Sequence, residues 1–176
     1  MKPAPFDYTR PATLDAACSL LAEAAGGASV IAGGQTLMPL LNLRMSQPLL
    51  LIDLRGISEL RGVTRDGGAI RIGPMTTQTE ALDDEILGAH VPVLAEALRH
   101  VGHHQTRNRG TVGGSISFGE PAAECPAVAV ALGAKLHLQS TRGRREVAAQ
   151  DFYFGPYATA LEPDEILPAR SFSQIF

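Results

Sequence analysis

The sequence predicts an α+β protein built of two α/β lobes, and three observations carry that prediction. A short apolar run, "SVIA" (29–32), meets Gly33-Gly34 and then a second apolar run of helical length. A continuous apolar segment, Leu49 to Leu54, has the length and composition of a buried strand. Beyond Gly56 the texture changes to alternating strand patterns with turn signals, interleaved with helical ones.

In order, Thr13 to Ala25 reads as an amphipathic helix, with Thr13 as N-cap, Leu14, Ala17, Cys18, Leu21 and Ala25 on one stripe, and Gly26-Gly27 as its stop. Ser29 to Ala32 is a strand, Leu37 to Leu43 a short helix with Pro39 tolerated in its first turn, and Leu49 to Leu54 a second strand. "ELRGVTRDGGAIRIG" is a hairpin turning at Asp66-Gly67-Gly68. Thr79 to Leu87 and Pro92 to Val101 read as helices, and Asp83-Asp84-Glu85 as an acidic helix face. "PAAECPAVAVALGA" is a compact apolar helix, and "KLHLQSTRGRREVAA" a hairpin turning at Thr141-Arg142-Gly143. The composition shift places a lobe boundary near residue 56, giving lobes of 1–55 and 56–176.

At 176 residues the chain suits one domain or two small lobes and can bury a substantial core. Hydrophobic residues make up 45% and charged residues 19%, a globular balance without a disorder signature. A net charge of −3 gives no reason to expect nucleic acid or an anionic membrane as partner. The amino terminus lacks a signal-peptide core and the longest apolar run is too short to span a bilayer, so a cytoplasmic protein without membrane insertion is expected. Two cysteines, Cys18 and Cys125, exclude a self-contained four-cysteine cluster or zinc site. Two free buried thiols are favoured over a bridge.

The chemistry lies in the paired glycines. A strand that turns through glycine into a helix leaves amides unpaired, and those amides cradle phosphate at close range. Gly33-Gly34 with Gln35 and Thr36 has that form, and "RNRGTVGGSIS" repeats it with Gly113-Gly114 between Thr111 and Ser115. Two such turns gripping one diphosphate is one reading, and a pair of tight structural turns is the other. Neither site spells a dinucleotide-fold fingerprint or a P-loop. On the ligand reading, a β-branched residue at Gly33 or Gly113 is expected to weaken binding more than folding. His103-His104 reads as solvated loop, not as a metal pair. Arg107 and Arg109 either neutralise a phosphate or belong to a solvated loop. No G-x-S-x-G nucleophile elbow is present.

The segments "AGGQTLMPLLNLRMSQPLLLIDL" (32–54), "RNRGTVGGSISFGEPAAECPAVAVALGAKLHL" (107–138), "DFYFGPYATALEPDEIL" (151–167) and "YTRPATLDAACSLLAE" (8–23) closely resemble those of the FAD-binding medium subunit of the molybdenum hydroxylase family, which includes aerobic carbon monoxide dehydrogenase and xanthine dehydrogenase. The resemblance implies a PCMH-type FAD-binding fold of two subdomains with FAD between them. It implies an electron-transfer flavoprotein subunit that takes electrons from an iron–sulfur small subunit, beside a molybdenum-binding large subunit, and passes them through FAD to NAD or another acceptor. By the same resemblance, Ala32, Gly33, Gly34, Gln35 and Thr36 hold the FAD diphosphate, and Thr111, Gly113, Gly114 and Ser115 contribute from the other lobe. Glu124 accepts from the flavin's ribityl chain, and Ile166 or Leu167 packs by the ring. No side chain is required as a catalytic acid, base or nucleophile, because the cofactor performs the redox step.

The sequence departs from the family in two places. Ser117-Phe118-Gly119-Glu120 stands where many relatives carry Ala-His-Ala-Asp. The family's carboxy-terminal domain is absent from this sequence, and "PARSFSQIF" does not resemble the strand expected after Glu165-Ile166-Leu167. That second departure favours the alternative of a truncated, non-catalytic α/β binding or scaffold module of such a complex. A self-sufficient PCMH-type oxidase is disfavoured, because neither a covalent flavin-attachment residue nor a substrate-covering domain is found.

Overall fold

The computed structural model describes residues 1–173. Its first section runs β1 (Asp7–Thr9), α1 (Leu14–Glu23), β2 (Ala28–Ile31), α2 (Leu37–Asn42) and β3 (Leu50–Asp53). The three strands form a parallel sheet with β3 in the centre, Tyr8 and Ser29 both in register with Leu51. Parallel pairing needs a crossover, which α1 and α2 supply. Thr13 caps α1 by accepting from the Ala16 amide at 3.2 Å, and Leu14, Ala17, Cys18 and Leu21 form its buried stripe. The helix ends before Ala25, which turns with φ 46 ahead of Gly26.

Two short 3-10 turns (54–56 and 58–60) lead into β4 (Val63–Asp66) and β5 (Ala69–Ile72). Gly67 and Gly68 both take positive φ, 54 and 88, as a tight two-residue hairpin requires. Then come α3 (Gln78–Leu82), α4 (Glu85–His90), α5 (Pro92–His100), α6 (His104–Arg107), α7 (Val112–Phe118) and α8 (Glu124–Ala131). The chain continues through β6 (Lys135–Ser140), β7 (Gly143–Ala148), a small β8 (Tyr153–Gly155) and β9 (Ala158–Thr159) hairpin, and β10 (Ile166–Ser173).

Two expectations are corrected here. The helix read over 79–87 is two helices: the chain breaks at Asp83, and the Asp84 carboxylate caps α4 by accepting from the Leu87 amide at 2.9 Å. The acidic run is therefore a helix junction, not a helix face. The segment after Leu167, although it does not resemble the strand expected there, forms the greater part of β10. That strand is the middle of a five-stranded antiparallel sheet ordered β4-β5-β10-β6-β7. Gln174 to Phe176 lie outside the described residues.

The parallel sheet lies before residue 56 and the antiparallel sheet after it, each with its own core. The larger core packs Ile70, Ile72, Leu136 and Leu138 of the antiparallel sheet against Leu87, Leu94, Leu98, Ile116 and Ala129 from the helices. The smaller core joins Leu14, Leu21, Ile52 and Leu54 to Leu60, Met75 and Ile166, so it draws on residues from both sides of position 56. A polar seam backs this junction: the Gln139 side chain donates to Asp15 at 2.8 Å and accepts from Arg144 at 2.8 Å. Cys18 and Cys125 are both buried and are not joined in a disulfide. Among the described residues no helix is long and apolar enough to cross a membrane.

Candidate functional site

Two adjoining clefts, of about 420 and 330 Å3, meet at the first glycine turn. Ala32, Gly33, Arg55 and Arg109 line both. Gly34 and Gln35 line the smaller one, with Met38 and Pro39. Thr111 lines the larger one, with Arg61, Thr77, Thr79 and Asn108 among its neighbours. The two segments singled out in the sequence therefore do converge on one place.

They converge on different terms. At the first turn the Gly34 and Thr36 carbonyls accept from the Met38 and Leu40 amides of α2, at 3.0 and 3.3 Å. Among the described residues, the amides of Gly33, Gly34, Gln35 and Thr36 donate to no protein acceptor. Unpaired amides at the rim of a cleft are what an anionic ligand needs.

At the second turn, the amides of Val112, Gly113, Gly114 and Ser115 are all taken up within the protein. This turn follows α6 and a loop instead of a strand, and its glycines lie inside the first turn of α7. Thr111 caps α7, its hydroxyl accepting from the Gly114 amide at 3.0 Å. The Val112 amide donates to Thr76, Gly113 to Pro74 and Ser115 to Thr111, at 3.0, 3.0 and 3.1 Å.

Packing explains the glycines. A Cβ at Gly113 would lie 2.2 Å from the Pro74 Cβ, and one at Gly33 would lie 2.0 Å from the Arg109 carbonyl oxygen. Both positions are bare because another backbone crosses them. Bulk at Gly33 or Gly113 therefore burdens folding as well as any binding: these glycines join elements whatever they bind. A Cβ at Gly114 would sit 3.6 Å from the Ala32 Cβ, so the two turns touch.

The charges around the cleft come from residues that the glycine motifs do not mark. Asp53, fully buried at the end of β3, receives Arg55 through Nε at 2.9 and 3.0 Å and through Nη2 at 2.6 Å. Tyr8 on β1 donates its hydroxyl to the same carboxylate, and the Arg55 amide does so at 2.9 Å. Burial alone would raise the Asp53 carboxyl. The hydrogen bonds from Arg55 and Tyr8, with the arginine's charge, outweigh burial and hold it below the ordinary carboxylate range. An aspartate closing the apolar run "LLID", with an arginine two residues on, is the signal the sequence carries for this site. Arg61 lies 3.8 Å from Glu80. Of the two arginines read as phosphate-neutralising or as solvated loop, Arg107 ties Nη1 to the Val101 and Gly102 carbonyls at 2.8 and 3.3 Å, while Arg109 lines the cleft.

The other expected residues lie apart from the cleft lining. Thr36 is exposed and makes no side-chain cap, and Ser115 sits within α7. Glu124 opens α8, half-buried. Ile166 and Leu167, each 3% exposed, begin β10 and point into the smaller and larger core respectively. Glu165 just before them is clamped by Arg145, whose Nε and Nη2 donate to it at 2.6 and 2.7 Å. His103 and His104 are exposed at the start of α6.

With this geometry in view, residues 4–169 match the family described as the FAD binding domain in molybdopterin dehydrogenase. The chain belongs to that family. It is 41% identical over 167 residues to the nicotine 6-hydroxylase medium subunit of Paenarthrobacter nicotinovorans, covering 95% of this chain and 59% of that subunit. It is 40% identical over 167 residues to the carbon monoxide dehydrogenase medium chain of Hydrogenophaga pseudoflava, covering 95% and 58%. A solved carbon monoxide dehydrogenase from Hydrogenophaga pseudoflava superposes with a TM-score of 0.98 at 38% identity, covering 100% of this chain and 61% of that one. Quinoline 2-oxidoreductase from Pseudomonas putida 86 gives 0.97 at 39%, covering 99% and 61%. The chain spans about three fifths of the length of these relatives. Its fold is that of the FAD-binding subunits, and the unpaired amides of 33–35, at a cleft that Arg109 also lines, fit the anionic middle of such a cofactor.

Proposed function

We propose that this chain binds FAD as the electron-transfer flavoprotein part of a molybdenum-containing hydroxylase or dehydrogenase. In that role it works beside an iron–sulfur small subunit and a molybdenum-binding large subunit. The observation that carries the proposal is the first glycine turn, with the unpaired amides of Gly33, Gly34 and Gln35 at a cleft that the second segment also lines. When bound, FAD supplies the exchange between one-electron carriers and a two-electron acceptor, NAD or another. The chain's own residues bind and orient. Ala32, Gly33, Gly34, Gln35 and Thr36 meet the diphosphate. Thr111, Gly113, Gly114 and Ser115 fix the second wall, Glu124 accepts from the ribityl hydroxyls, and Ile166 and Leu167 support the ring. Residues 1–55 and 56–176 act as the two lobes of the site. The substrate belongs to the molybdenum subunit, consistent with relatives named for nicotine, caffeine and carbon monoxide.

Titration of the purified chain with FAD, followed by flavin absorbance and fluorescence, tests the proposal. Saturable binding with a perturbed flavin spectrum is expected. Failure to bind FAD, in a chain whose circular dichroism shows it folded, overturns it in favour of a non-catalytic scaffold.

A further inference from the structure

We propose that Arg109 and Arg55 form a two-arginine clamp on the diphosphate of the bound dinucleotide, Arg109 supplying the net charge and Arg55 the fixed geometry. This rests on the FAD reading above and adds two residues to it. Both arginines line both clefts, as Gly33 does. The Arg109 backbone crosses directly over that glycine, which ties the arginine's position to the turn.

Their electrostatic states differ. Asp53 engages Nε and Nη2 of Arg55, so the side chain is held in place by a buried carboxylate that Tyr8 also meets. Because Asp53 offsets its charge, Arg55 contributes direction more than net charge. Arg61 is likewise partnered, by Glu80. Among the described residues, Arg109 has no ion-pair or side-chain hydrogen-bond partner, so its charge is the one left uncompensated in the cleft lining. Backbone amides bring dipoles but no net charge. A diphosphate held against them therefore still needs a cation beside it, and an arginine fork suits its oxygens.

The test uses FAD, ADP and riboflavin as separate probes of the 176-residue chain. Arg109→Gln is expected to weaken both FAD and ADP about tenfold at low salt, the loss of one hydrogen-bonded charge. It should also flatten the salt dependence of binding and leave riboflavin unchanged. Arg99→Gln, an exposed arginine paired with Glu96 on α5, should behave as wild type. Arg55→Lys keeps the charge but loses the fork, and should weaken FAD and ADP with the salt dependence intact. Unchanged ADP and FAD affinity in Arg109→Gln overturns the clamp while leaving FAD binding standing. Arg109-dependent ADP binding without any FAD binding overturns the FAD reading and keeps the clamp.

Discussion

The carbonyl of Arg109 fills the space that a side chain on Gly33 would need, 2.0 Å from where its Cβ would stand. One contact thus sets both the depth of the cleft and the placement of the Arg109 cation. The loop cannot lift from the turn without moving Arg109, and the turn cannot gain a methyl group without displacing the loop.

Gly33→Ala and Gly113→Ala should each lower the stability of the ligand-free chain by about 2–3 kcal/mol, the cost of overpacking against fixed backbone or ring atoms. Gly88→Ala is the contrast, because a Cβ there within α4 meets nothing. That change should stabilise by about 0.5–1 kcal/mol. Urea unfolding of the three variants without FAD decides it; a neutral Gly33→Ala would contradict the close approach.

Asp53→Asn should cost about 2 kcal/mol at neutral pH, since hydrogen bonds from a charged partner are lost while Arg55 can partly rehydrate. The folded carboxyl lies below its ordinary 3.8. Its contribution is therefore fully present above that value and is lost as pH falls through and below it. Comparing urea midpoints at neutral pH and at about pH 3 should show the variant's penalty shrinking in acid.

Glu124→Gln should weaken FAD binding roughly ten- to a hundredfold if the carboxylate accepts from the ribityl chain. The apo melting temperature should move little, because a charge at the start of a helix contributes only ~0.5 kcal/mol. Unchanged FAD affinity with a lower apo melting point would leave Glu124 as a capping charge alone.

Neither cysteine should react with a thiol reagent in the native protein, and both should react in denaturant. Burial first, then Asp15 and Asp164, pushes the Cys18 thiol up to about 11, so thiolate is scarce at neutral pH. Fast native labelling would mean that α1 opens away from β6.

The first glycine turn is legible because Val30-Ile31-Ala32-Gly33-Gly34 combines strand composition with an obligatory break. The Gly113-Gly114 turn has nearly the same letters, yet its amides are taken up by Pro74, Thr76 and Thr111, partners remote or indistinct in sequence. β1 is hidden because three residues carrying a half-exposed Tyr8 show no periodicity. It is their pairing to Leu50, Leu51 and Ile52 that makes them a strand. β10 is obscured by Pro168, and its central place depends on hairpins formed far upstream. Helix stripes and hairpin turns are local and can be read, whereas the Asp53–Arg55–Tyr8 site requires β1 and β3 to be brought together.

The position of β10 between β5 and β6 has a consequence for how the protein is made. The two hairpins that flank it close on short loops, Asp66 opposite Ala69 and Ser140 opposite Gly143, and can form as soon as they leave the ribosome. They do not pair with each other, so each keeps a bare edge until residues 166–173 emerge and zip both at once. The second sheet is therefore completed only after both hairpins have emerged, and until then the edges of β5 and β6 stay open to wrong partners. Ribosome-stalled chains ending before residue 166 should remain protease-sensitive throughout 63–148, and extension through β10 should protect both hairpins together.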